Sequence, residues 1–63
     1  MASYTVMAAD LSTASTVLSG KLECDPGTVE EIGDALADVF PASVELELRD
    51  ETTTRAYWRE GVL

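Results

Sequence analysis

The side chains in this sequence that could do chemistry are almost all carboxylates, and there is no histidine to work beside them. Histidine is the commonest general base, so neither a Ser/His/Asp nor a Cys/His constellation can be built. Glu30 with Asp34, or Glu45 with Glu47, have the spacing of an acid and base pair. Each falls on a face expected to be solvated, where nothing drives two pKa values apart. The chain is therefore expected not to be an enzyme, with no catalytic residue and no cofactor assigned. Cys24, the single thiol, precedes an expected helix N-terminus, which favours a thiolate, while Glu23 and Asp25 oppose one. A small hydrophobe on the same strand face as Leu18 and Leu22 is the stronger reading. Zinc would lack a second sulfur or an imidazole. Asp50-Glu51 lacks the glycine-containing, oxygen-rich loop of a calcium site, so no metal is expected either.

What stands out is where the acid lies. Between residues 22 and 48 the chain carries Glu23, Asp25, Glu30, Glu31, Asp34, Asp38, Glu45 and Glu47 with no base among them. A solvated helix commonly places Lys or Arg four residues after Glu, but this one accepts the repulsion of Glu30, Asp34 and Asp38. Carboxylates four apart on a helix are separated by about 6 Å along the axis, and outward strand residues by roughly 6.6 Å. Such rows can present regular negative charge to a basic groove built for phosphates. Glu30, Glu31, Asp34 and Asp38, with Glu45 and Glu47 as a second group, are the candidate partner-binding residues.

These residues need elements to carry them. Tyr4 to Ala8 has the composition of a short strand, and Thr16 to Cys24 alternates with Leu18, Gly20, Leu22 and Cys24 on one face, which suggests an N-terminal hairpin. Asp25-Pro26-Gly27-Thr28 is a break, and Thr28 with Glu31 has capping-box spacing. A helix from Thr28 to Phe40 follows. At about 100° per residue, Val29, Ile32, Gly33, Leu36 and Phe40 gather on one side with Val39 at its edge. Gly33 on that side would let the helix approach a sheet closely, and Pro41 ends the helix. Ser43 to Arg49 alternates strictly, with Val44, Leu46 and Leu48 inward. Thr53 to Arg59 is expected to pair back on it. The preferred register sets Leu48 opposite Thr54, Leu46 opposite Ala56 and Val44 opposite Trp58, which turns the tryptophan to the core and Glu47 towards Arg55.

The sum is a single acidic α+β domain over residues 1 to 63, in ββαββ order, with one helix packed on one face of a small antiparallel sheet. Twelve acidic residues against four basic ones leave a net charge of −8, which disfavours direct contact with nucleic acid or an anionic membrane. No basic segment followed by a long apolar run opens the chain, and a lone cysteine suits a reducing compartment, so a cytoplasmic location is expected. In size and charge alone the chain resembles small acidic inhibitors encoded by phages and other mobile elements, a class that includes nucleic-acid mimics and anti-CRISPR proteins. That likeness is compositional and carries over no residue. It implies a non-enzymatic inhibitor that blocks a basic site on a nucleic-acid-handling protein. The alternative is a structural or assembly module forming a homodimer through the open sheet face, with Val17, Tyr57 and Met7, its acidity serving solubility or salt adaptation.

Overall fold

Alternation in the strands and a helical apolar stripe between them produce a four-stranded antiparallel sheet with one helix on one face. The structure is a computed structural model that describes residues 1–52 and 55–63. Strands β1 (Ala2–Asp10) and β2 (Ser15–Cys24) form a hairpin, a 3-10 turn (Pro26–Thr28) leads into helix α1 (Val29–Val39), and β3 (Val44–Asp50) and β4 (Tyr57–Arg59) complete the chain. The spatial order is β2-β1-β3-β4. The first strand thus lies inside the sheet, with β2 and β3 both antiparallel to it. Those two strands are therefore parallel to each other, and α1 is the crossover between them.

The period of two decides which side chains meet the helix. Tyr4, Val6 and Ala8 of β1 and Val44, Leu46 and Leu48 of β3 are buried, and with Val29 of α1 they form the core. The pairing Val6 with Leu48 and Ala8 with Leu46 keeps both sets on one face. Tyr4 is 1% exposed, and burial, helped by the charge of Asp50, holds its phenol above the ordinary value. The helix packs most closely on β3 and β4. At Gly33 an added Cβ would stand 2.5 Å from the Tyr57 ring, so the missing side chain is what lets the helix settle on that ring.

Two expectations are corrected. The register of β4 is Leu48 with Tyr57, Glu47 with Trp58 and Leu46 with Arg59, an odd shift from the expected pairing, and an odd shift exchanges the two faces. Trp58 therefore lies on the open face, 38% exposed, and Tyr57 turns to the helix. Thr53 and Thr54, where the expected strand begins, lie outside the described residues. The cause of the shift is on the helix side: Gly33 leaves a seat for an aromatic ring, and Arg59 must reach the end of α1. Arg59 donates from Nη1 to the Ala37 carbonyl at 2.7 Å, and from Nη2 to those of Pro41 at 2.9 Å and Val44 at 2.6 Å. No basic residue stands in the last helical turn, so this guanidinium supplies the positive charge that the helix C-terminus favours. The second correction is at the other end of α1. Thr28 makes no side-chain cap; its hydroxyl instead donates to the Asp25 carbonyl at 2.9 Å. The 3-10 turn already gives Thr28 near-helical backbone angles of −103° and −7°, unlike the extended backbone a capping residue requires.

Candidate interaction surfaces

Three surfaces follow from this arrangement: the outer side of the helix, the sheet face away from it, and the side of the molecule where β2 runs past the helix. The helix carries Glu30, Glu31, Asp34 and Asp38, all exposed. None of the four cations of the chain forms an ion pair with these acids among the described residues. Lys21 pairs with Glu51 at 3.2 Å, Arg49 and Arg55 reach Glu47 at 3.1 Å and 3.8 Å, and Arg59 is held by backbone carbonyls. Glu30 and Glu31 stand in the first turn, where the helix dipole favours a negative charge; Asp38 stands in the last, where it does not. Asp34 lies beside the Tyr57 hydroxyl. Burial raises the pKa of that phenol most, and the charge and hydrogen bond of Asp34 raise it further.

Glu45 and Glu47 are not brought together with the helix acids. Val44, Leu46 and Leu48 face the helix, so the alternate residues of β3 point from the opposite side of the sheet, where both glutamates are half-buried. Glu47 is compensated as well, by Arg49 and Arg55. Met7, Glu47 and Trp58 form a row across this face, and the Arg55 guanidinium sits 4.6 Å from the Trp58 ring centroid. Such stacking is worth about 0.5–1 kcal/mol at an exposed site. The expected Glu47–Arg55 contact therefore exists, although Trp58 is the residue paired with Glu47. Tyr57 is not on this face, which leaves Met7, Val17 and Trp58 as its large apolar groups.

The third surface was not singled out from the sequence. Because α1 sits over β3 and β4, the helix-facing side of β2 is left partly uncovered. Val6, Leu18, Gly20, Leu22, Ile32 and Leu36 line a groove of about 290 Å³ between β2 and α1. Ile32 and Leu36 are the helix residues that line it, and Val39, at the end of α1, is 76% exposed. Cys24 is half-buried at the end of β2 and packs against the core as a small hydrophobe.

No family model, curated protein or solved structure matches this chain. Function must therefore be argued from these surfaces. Among the described residues no helix is long and apolar enough to cross a membrane, a statement that bears on helices only. Among the same residues, no group of three or more His, Cys, Asp or Glu side chains is placed to hold a metal ion.

Proposed function

We propose that the chain is a non-enzymatic acidic binding protein whose helix exterior docks on a basic site of a nucleic-acid-handling protein. One observation carries the reading: Lys21, Arg49 and Arg55 pair with acids of the sheet side and Arg59 is held by backbone carbonyls at the C-terminal end of α1, so Glu30, Glu31, Asp34 and Asp38 present their charge without an ion-pair partner among the described residues. Solvation alone is served as well by mixed charge, which repels itself less. Phosphate-binding grooves offer the complementary field, and charge of opposite sign across an interface sets encounter rate and register. Inhibition of such a partner by occupying its phosphate site is the function that follows. Glu45 and Glu47 belong to this proposal only as a contribution to the long-range field, because they lie behind the sheet. A cytoplasmic setting suits the reading, since that is where such partners work.

The test is affinity capture from a cell lysate at low salt, with wild type and the Glu31→Lys/Asp38→Lys variant immobilised side by side. Proteins held by wild type, absent from the variant, and released by added duplex DNA or RNA support the proposal. Identical protein sets on both columns contradict it.

A further inference from the structure

We infer that β2 is the contact strand of a homodimer, pairing antiparallel with β2 of a second copy about a two-fold axis at Gly20. The sheet has two edges, and they are not equivalent. β4 spans Tyr57–Arg59 only, whereas β2 runs from Ser15 to Cys24 with one edge unpaired. Long open edges template further strands, and soluble proteins usually guard them with charge, proline or a covering element. Here the guard is thin: residues 11 to 20 are Leu-Ser-Thr-Ala-Ser-Thr-Val-Leu-Ser-Gly, with no charged residue in a chain of net charge −8, and the charges of β2 are Lys21 and Glu23 near its C-terminal end, which cancel. Two such acidic molecules repel least across a surface of no net charge, and this edge is one, since Lys21 and Glu23 are its charged residues.

A second copy of β2 fits this edge in register. Side chains directly opposed in an antiparallel pair share a face, so the helix-side residues Leu18, Gly20 and Leu22 must meet their own kind. A two-fold axis at Lys21 would oppose two lysines, and one at Leu22 would pair only the last half of the strand. With the axis at Gly20, the strands pair from Thr16 to Cys24. Leu18 then meets Leu22 of the partner copy, Lys21 meets its Ser19, and no like charges are opposed. Leu18 and Leu22 already line the groove beside α1, so the pairing joins the two grooves into one apolar layer. Nothing lies within 4 Å of an added Cβ at Gly20, so the sheet face above the centre of the pair is open. The inference is independent of the proposed function, because it uses the β2 edge and not the helix exterior.

Sedimentation equilibrium over a range of protein concentrations tests it. The wild type should dimerise, and more tightly when salt rises from about 0.05 M to 0.5 M, because screening removes the repulsion between two acidic molecules. Docking on a basic partner weakens over the same range. Leu18→Lys should raise the dimer Kd about a hundredfold, since two leucine contacts are lost from the shared apolar layer. Ser19 is exposed and outside the core, so its variants keep the fold: Ser19→Lys opposes the partner's Lys21 and should raise Kd about tenfold, while Ser19→Glu should not weaken it. General repulsion predicts the opposite order for that pair of variants. A monomer at every salt and concentration overturns the inference and leaves the groove to a foreign strand. So does a dimer that Trp58→Ser disrupts and Ser19→Lys does not, which would place the contact on the open face.

Discussion

Gly33 and Tyr57 share one seat, and their coupling decides which face of β4 looks at the helix. Gly33→Ala places a methyl group 2.5 Å from the ring, too close for a Cβ, so the ring or the helix must shift. The cost of such overpacking is about 1–3 kcal/mol, against a gain of about 1 kcal/mol from the better helix propensity of alanine. Urea denaturation should show net destabilisation of Gly33→Ala in the wild type, and a neutral or stabilising effect of the same change in a Tyr57→Ala background. Additive effects would mean that the ring and the helix do not touch. Tyr57, like Tyr4, makes stability fall at alkaline pH. Its folded pKa is raised above 10.0 by burial and by Asp34, so the stabilisation is complete below that value and is lost as pH rises through the folded pKa. Thermal melts between about pH 8 and 11 should fall less steeply in Tyr57→Phe, which has no proton to lose.

At the level of elements, the helix is strong in its apolar stripe and weak at its ends. Asp38 faces the negative pole of the dipole with no base in the last turn of α1. Asp38→Lys should therefore stabilise the fold by about 0.3–1 kcal/mol at low salt, and by less at high salt. An unchanged denaturation midpoint would show that Arg59 already neutralises that end. The helix and β3 were legible in the sequence because their periods run uninterrupted: Val29, Ile32, Gly33 and Leu36 for one, Val44, Leu46 and Leu48 for the other. The N-terminal hairpin was legible for the same reason, though both its strands extend further than the alternation alone suggested. The placement of β1 inside the sheet was not, since nothing local to Tyr4–Ala8 encodes which strand becomes its second neighbour. Neither was the register of β4, where Trp58 is the more apolar residue but Tyr57 has the seat at Gly33 and Arg59 has the helix carbonyls. Long-range partners override a local preference there. The helix acids could be read directly as an outward row; the groove beside β2 could not, because it arises from where α1 comes to rest.

On the scale of the whole molecule, charge and apolar surface are segregated. Uncompensated acid covers the helix exterior, paired charges lace the open sheet face, and the neutral β2 edge adjoins an apolar groove. The first surface carries the account's central claim, and a displacement assay tests it most directly. A nucleic-acid-handling protein captured by the wild type is bound to a labelled duplex or RNA, and the chain is titrated in at several salt concentrations. The account predicts stoichiometric displacement of the nucleic acid by the wild type that weakens steeply as salt screens exposed charge. It also predicts at least a tenfold loss in Glu31→Lys/Asp38→Lys of unaltered fold, the size expected where like charges come to face each other across an interface. Equal displacement by the charge-reversed chain, or displacement insensitive to salt, would contradict it.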